Sequence, residues 1–180
     1  SSNIYNQSMV ASLIVQLGES AAQEWVNGLV NNFARHPQGG DRDQIKGLAA
    51  GLCDVAIANT YYLAGMLSSK DEITQQQAKK VKVIWPNQAG RGTHINISGV
   101  SLAQYAPNKN AALKLIDFLL SKESQLWYAT TNHEYPVLPD IAWSELLQSF
   151  GTFKAEQVAL GKLGELNAAA VKMMDRAGWK

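Results

Sequence analysis

The sequence predicts an α/β fold in which helices dominate. Apolar residues recur at helical spacing over most of the chain, and three short apolar runs interrupt the helices. The chain has 180 residues, of which 46% are hydrophobic and 17% charged. That length and balance suffice to bury a core in one domain or two small ones, and they exclude a disordered or collagen-like chain.

The helices follow from amphipathic spacing and from residues that favour helix ends. Residues 21–33 place Trp25, Leu29 and Phe33 on one face. Asp41 is expected to cap the helix that follows the loop over 36–40. The predicted helices span residues 8–17, 21–33, 41–50, 61–67, 71–80, 108–120, 121–130, 143–150 and 155–176.

Three segments are predicted to be strands. The run CDVAIA at 53–58 is mostly apolar and indicates a strand buried on both faces. VKVIW at 81–85 indicates a second strand, which Pro86 closes. In HINIS at 94–98, polar and apolar residues alternate, which indicates a strand with one face exposed to solvent. Residues 134–139 should be extended because each proline disfavours helix in the residue before it.

Charge and hydropathy exclude two classes of partner. Sixteen basic and fifteen acidic side chains give a formal charge of +1, so no broad cationic field for nucleic acid is expected. No stretch reaches the roughly 18 apolar residues that a transmembrane helix needs.

The common catalytic and metal-binding motifs are also absent from the sequence. It has no phosphate-binding Gly-rich loop, no Gly-x-Ser-x-Gly and no His-Glu-x-x-His. The single cysteine, Cys53, cannot form an internal disulfide, and a buried packing role is favoured over a nucleophilic one. His36, His94 and His133 lie far apart, which disfavours a conventional zinc site.

Three tyrosines are the best candidates for binding chemistry. Tyr61 and Tyr62 follow a predicted strand and begin a helix, the position at which ligand crevices form in open α/β sheets. A phenol, whose pKa is near 10, becomes a ligand only for a strongly charged cation such as Fe(III). Tyr5 precedes the first predicted helix, whose start favours an anion or a phenolate. Taken singly, each tyrosine is better explained as an amphipathic residue at the boundary between surface and core.

Five segments, in order along the whole chain, resemble the periplasmic ferric-iron-binding proteins that serve ABC importers. They are SNIYNQS at 2–8, PQGGDRDQ at 37–44, GLCDVAIANTYY at 51–62, GTHINISG at 92–99 and NHEYPV at 132–137. Because several motifs occur in the right order, the resemblance is far more specific than any one of them.

This resemblance implies a type II periplasmic binding protein, with two α/β lobes, a hinge and Fe(III) held in the cleft between the lobes. It implies that Tyr61 and Tyr62 are iron ligands and that Tyr5 supplies a third phenolate, as in the tyrosine-rich subgroup. Asn59 resembles the family's asparagine that binds an anion or supports the ligands from behind. Carbonate or phosphate binds there in members with a small residue at the position of Tyr5, and Tyr5 could make such an anion unnecessary in this chain. One departure is Gly39-Gly40-Asp41, since many relatives have Gly-Asn-Asp.

The resemblance also implies a domain organisation. Residues 1–85 and 139–180 would form the iron-binding C-terminal lobe, and residues 86–138 would cross over to pack on an N-terminal lobe that supplies the remaining ligands. Ser1 would lie partway along the family pattern, so the lack of an export signal at this position does not argue against a periplasmic location. The implied partner is an ABC transporter permease, and the implied full-length protein is a monomer.

Three functions are therefore compared. The first is ferric-ion binding for import, without catalysis, and weak in this chain unless the other lobe is present. The second keeps the fold but binds an anion or a small organic solute at the helix ends near residues 3–8 and 59–61. The third is an enzyme that uses Tyr61 or Tyr62 as a general acid, which is disfavoured because no matched base is evident.

Overall fold

The computed structural model describes residues 2–179, which form ten α-helices and one π-helical turn. None of these described helices is both long and apolar enough to cross a membrane. The helices are α1 (Ile4–Leu17), α2 (Glu19–Asn31), α3 (Asp41–Ala49), α4 (Thr60–Leu67), α5 (Glu72–Lys79), α6 (Lys109–Leu119), α7 (Lys122–Trp127), α8 (Glu145–Ser149), α9 (Leu160–Glu165) and α10 (Asn167–Arg176); the π-helical turn is Tyr128–Asn132.

The chain divides into two compact units. The first unit comprises Ser1–Gly39, Ile84–Asn96 and Phe153–Lys180, and the second comprises Gly40–Val83 and Ile97–Thr152. The sequence prediction was of a different kind: it assigned residues 1–85 and 139–180 to one lobe of a two-lobed protein and residues 86–138 to a segment that packs on the other lobe. That division stays a prediction. Its terminal residues, Ser1 and Lys180, lie outside the described residues.

The first unit is built around α1, which packs against α2, α9 and α10. Five consecutive residues of α1, from Val10 to Ile14, are buried. Gly18 ends α1 with a φ of 80°, a left-handed value that glycine adopts without steric cost, and α2 begins at the next residue. The buried core comprises Val10, Ala11, Leu13, Ile14, Ala22, Val26, Ala170, Met173, Met174 and Trp179.

The second unit has a smaller core between α3, α4 and α5. Its buried residues are Ile45, Leu63, Met66 and Ala78. Asp71 caps α5, because its carboxylate accepts a hydrogen bond from the backbone N–H of Thr74 (2.9 Å). α4 is therefore anchored in this core by its buried residues Leu63 and Met66.

Most of the predicted helices are present in the structure, but their first and last residues differ from the predicted ones. α1 begins four residues earlier than expected, at Ile4, because the side chain of Asn3 caps it. Ser121 caps α7 as predicted, through its hydroxyl and the N–H of Ser124 (3.2 Å). The predicted helix over 155–176 is wrong in its first part, since regular helix starts only at Leu160.

The three strand predictions, 53–58, 81–85 and 94–98, are wrong for this structure. None of these segments forms a β-ladder, and Val55, Ile57 and Ile84 are 71%, 46% and 78% exposed. A strand exists only when a neighbouring strand pairs with its backbone, and apolar content alone does not supply that neighbour. Of the predicted α/β class, the described residues therefore show the helices but no β-sheet.

One β-bridge is present within residues 2–179, between Thr93 and Ala155 in parallel. The N–H of Thr93 donates to the carbonyl of Lys154 (2.8 Å), and the N–H of Glu156 donates to the carbonyl of Thr93 (2.9 Å). Gly92 has a φ of 92°, and a Cβ at that position would lie 2.7 Å from the carbonyl carbon of Ala155. The close approach of these two segments therefore requires glycine.

Candidate functional site

The first turn of α4 carries the two adjacent tyrosines. The ring centroids of Tyr61 and Tyr62 lie 4.5 Å apart and the ring planes are inclined at 41°. Both side chains are partly exposed, whereas Leu63 and Ala64, which follow, are buried. The helix therefore presents two phenol groups at its start while its next residues anchor it in the core.

The start of α4 is held from α3 through a carboxylate. Asp41 Oδ2 accepts hydrogen bonds from the backbone N–H of Asn59 (2.7 Å) and from its Nδ2 (3.3 Å). Asn59 stands at the N-cap position of α4, but its side chain makes no capping hydrogen bond to the helix. The prediction that Asp41 caps α3 is wrong, because Gly40 stands at that cap and the Asp41 side chain is directed to Asn59 instead.

The residue after Asp41 lies over one of the two phenol rings. Arg42 Cζ is 5.0 Å from the centroid of the Tyr62 ring, within the range of a cation–π interaction. Arg42 also lies against Gly65, one turn further along α4, where a Cβ would be in ordinary van der Waals contact with Arg42 Nη2 at 3.9 Å. Two consecutive residues of α3 thus contact the start of α4.

A polar pocket of about 410 Å³ adjoins Tyr61 within the second unit. Its other lining residues are Arg42, Gly65, Ser68, Thr131, Asn132, His133 and Glu134. His133 has a left-handed backbone (φ 59°, ψ 33°) and follows the π-helical turn, and both features are frequent at functional sites. Burial lowers the pKa of His133 and raises the pKa of Glu134, so both side chains are shifted towards their neutral forms.

A tyrosine near this pocket has a different environment. Burial raises the pKa of Tyr135 to about 12, and its ring packs edge-on against Trp143, with centroids 4.8 Å apart. A phenol that resists ionisation in this way is a poor anionic donor.

Tyr5 occupies the first turn of α1, in the other unit. Its backbone N–H donates to Asn3 Oδ1 (2.8 Å), which is the capping bond of the helix. Tyr5 is thus close to a helix start, as expected, but it lies within the first turn of the helix and does not precede it. The structure brings Tyr61 and Tyr62 together in one unit, and Tyr5 belongs to the unit built around α1.

A buried polar network crosses α1 one to two turns beyond Tyr5. Ser12 Oγ donates to Glu156 Oε2 (2.6 Å), Glu156 Oε1 contacts His94 Nδ1, and His94 Nε2 lies 3.2 Å from Ser8 Oγ. Burial alone would raise the pKa of Glu156, but the hydrogen bonds from His94 and Ser12 and the charges of His94 and Arg91 outweigh it, so its pKa is lowered. The network fixes the middle of α1 to residues around 94 and 156.

The sequence interpretation missed the contribution of Asp41, Arg42 and His133 to this site. The segments 37–44 and 132–137 did carry a signal, since they were among those that resemble the family. No three His, Cys, Asp or Glu side chains within residues 2–179 form a group that could hold a metal ion.

Comparisons with known proteins agree on one family. The chain is 48% identical over its whole length to iron uptake protein A1 of Synechocystis sp., of which it covers 50%. It is similar to a solved Trichodesmium protein in complex with iron and citrate ligands, with a TM-score of 0.96, 48% identity, and coverage of 100% of this chain and 57% of that one. It is also similar to the ferric binding protein of Campylobacter jejuni, with a TM-score of 0.93, 38% identity, and coverage of 98% and 56%.

These relatives support the predicted fold, a partial type II periplasmic binding protein. The chain spans about half the length of the curated relatives that it matches. Residues 12–155 match the family described as bacterial extracellular solute-binding protein. Since that match covers most of the sequence, the chain belongs to the bacterial extracellular solute-binding protein family.

Proposed function

We propose that this chain binds ferric iron through the phenolate oxygens of Tyr5, Tyr61 and Tyr62 and serves its delivery to an ABC-type importer, without catalysis. The observation that carries the proposal is the pair Tyr61 and Tyr62, whose rings lie 4.5 Å apart at the start of α4. Similar proteins are named for iron uptake and ferric binding, which supports iron as the ion.

The chemistry of the donors favours a hard trivalent cation. Three phenolates together would balance the formal charge of Fe(III), whereas Zn²⁺ and Cu⁺ prefer nitrogen and sulfur ligands. Each phenol would release a proton when iron binds. Asn59 would contribute an amide close to the metal, and a carbonate, phosphate or carboxylate oxygen would fill a further coordination position.

We further propose that residues 86–138 pack on an N-terminal lobe, which would supply the remaining iron ligands. α6 lies in this range and has no buried residue. Its Leu113, Leu115 and Phe118 are 48%, 54% and 54% exposed. Apolar surface of this extent normally marks an interaction site, and the relatives' greater length supports a lobe as its partner.

The proposed location is the periplasm and the proposed partner is the permease of an ABC importer, with the full-length protein acting as a monomer. The extracellular solute-binding family to which the chain belongs supports both. Release would follow from opening of the cleft, because separating the lobes dismantles the coordination shell.

The proposal is tested by titrating the 180-residue chain with ferric citrate and recording the visible spectrum. A phenolate-to-iron charge-transfer band is expected, which should weaken in Tyr61→Phe, Tyr62→Phe and Tyr5→Phe. Tyr105→Phe is the matched control, since Tyr105 is 88% exposed and its loss should leave the band unchanged.

Two outcomes would contradict the proposal. One is the absence of any band at excess ferric citrate, and the other is a band that persists unchanged in both Tyr61→Phe and Tyr62→Phe. Stabilisation of the iron-free chain by phosphate, sulfate or a thiamine-like solute in a thermal-shift panel would instead favour an anion or small-solute receptor.

A further inference from the structure

We propose that Arg42 is a positioning residue that tunes how strongly Tyr62 donates electrons to bound iron, acting through the face of the tyrosine ring. This inference rests on the proposed function and adds to it a residue that determines the electronic character of the site. The family segment 37–44, which contains Arg42, gains a specific role from it.

The first support is the placement of the guanidinium. Arg42 Cζ lies 5.0 Å from the Tyr62 centroid. The preceding residue, Asp41, is bonded to the backbone N–H of Asn59 at 2.7 Å, so the start of α3 is tied to the start of α4. The N–H of Gly40 donates to Asp43 Oδ2 (2.9 Å), which fixes the first turn of α3 itself. The arginine therefore projects from a segment whose position relative to Tyr62 is set by hydrogen bonds.

The second support is the surroundings of Arg42. Gly65 lies three residues after Tyr62, on the same side of α4, and a Cβ there would be in ordinary van der Waals contact with Arg42 Nη2, 3.9 Å away. Arg42 forms no salt bridge with any residue in the range 2–179. Its positive charge is therefore not neutralised by a carboxylate and acts on the ring it covers.

A cation over an aromatic face attracts the electrons of the ring. For a phenolate bound to Fe(III), this attraction lowers the energy of the electrons that the oxygen shares with the metal. Tyr62 thereby becomes a weaker donor than it would be without the guanidinium over its ring. At an exposed site a cation–π contact corresponds to a factor of about two to five in an equilibrium constant.

The test compares the iron-loaded 180-residue chain with its Arg42→Gln and Arg42→Met variants. Both variants should move the charge-transfer band to longer wavelength, because the unshielded phenolate gives up an electron more easily. They should also favour ferric over ferrous iron by about two- to fivefold, which lowers the midpoint potential by ~20–40 mV for one electron. Arg42→Lys retains the charge without the planar group and should recover part of both shifts.

A double-variant comparison isolates the path through Tyr62. In a Tyr62→Phe background the residual band arises from the other tyrosines, and Arg42→Gln should no longer shift it. Lys46→Gln removes a positive charge from an exposed position of the same helix and should change neither readout. Far-UV circular dichroism of each variant verifies that the fold is retained.

The results separate failure of this inference from failure of the proposed function. A wild-type chain without a charge-transfer band overturns both. A normal band that stays at the same wavelength in Arg42→Gln and Arg42→Met overturns the role of Arg42 alone. An equal shift in the presence and absence of Tyr62, or in Lys46→Gln, also overturns it, since the effect would then be one of general charge.

Discussion

The two helices that carry the candidate tyrosines are anchored in different ways. α1 is capped by its own neighbour, since Asn3 Oδ1 accepts from the N–H of Tyr5, and five consecutive residues in its middle are buried. α4 has no such local cap, and its start is held by Asp41 from α3, 18 residues earlier in sequence than Asn59. The geometry of Tyr5 is thus set locally, whereas that of Tyr61 and Tyr62 depends on a tertiary contact.

This difference indicates how each part of the site responds to mutation. A change in α1 near Tyr5 affects one helix whose core is extensive. A change in the smaller core around α4 affects the support of two adjacent candidate ligands together. Five predictions test this contrast, beginning with the largest expected effect.

Met66→Ala should destabilise the second unit by about 2–5 kcal/mol, because Met66 is 1% exposed and its truncation leaves a cavity beneath α4. Urea unfolding measures the loss. Met9→Ala is the matched control, since Met9 lies only partly buried against the core of α1 and should cost clearly less. Equal losses for the two substitutions would contradict the view that α4 depends more heavily on its few buried residues.

Glu156→Gln should reduce the free energy of unfolding by about 1–3 kcal/mol, because it weakens a buried network that includes Ser12 and His94. Chemical denaturation again provides the measurement. Glu165→Gln offers the same substitution at an exposed pair with Lys162, which is worth about 0–1 kcal/mol. A loss at Glu156 no greater than that at Glu165 would show that the network does not stabilise α1.

The Glu156 contribution should also depend on pH. Its pKa in the folded chain lies below the ordinary value of 4.5, so its stabilisation is fully present above pH 4.5 and is lost as the pH falls through the lowered pKa. The difference in unfolding free energy between the wild type and Glu156→Gln should therefore shrink on acidification below pH 4.5. A difference that stays constant down to the acid transition would rule out this titration.

Asp41→Ala should cost about 1–2 kcal/mol, because it removes the acceptor of two hydrogen bonds from Asn59. It should in addition weaken the proposed iron band, since the first turn of α4 loses its tie to α3. Asp54→Ala is the control, because Asp54 is exposed and precedes the same helix. An iron band of unchanged intensity in Asp41→Ala would show that α4 needs no support from α3.

Asn3→Ala should have the smallest effect, about 1 kcal/mol, which is typical for the loss of an N-cap side chain. Asn3→Ser retains a capping oxygen and should recover most of it. Thermal unfolding at fixed protein concentration resolves the order of the three variants. A greater loss in Asn3→Ala than in Asp41→Ala would reverse the proposed contrast between local and tertiary anchoring.

The helices could be predicted from the sequence where the features that define them involve residues close in sequence. Periodic apolar residues gave the helix over 21–33, and Ser121 gave the start of α7, because caps and amphipathic faces involve residues close in sequence. The strand predictions at 53–58, 81–85 and 94–98 failed because pairing is non-local. An apolar run shows only that its residues favour burial, and Val55 and Ile84 are exposed here.

The same distinction between local and non-local information applies to the candidate site. The sequence by itself determined the residue types that suit ferric iron and, through ordered family segments, singled out Tyr5, Tyr61, Tyr62 and Asn59. The tertiary structure decided that Asp41 holds Asn59 and that Arg42 covers the ring of Tyr62. The physical reason is that donor chemistry belongs to a side chain, whereas the field and the orientation that act on it come from residues brought near by folding.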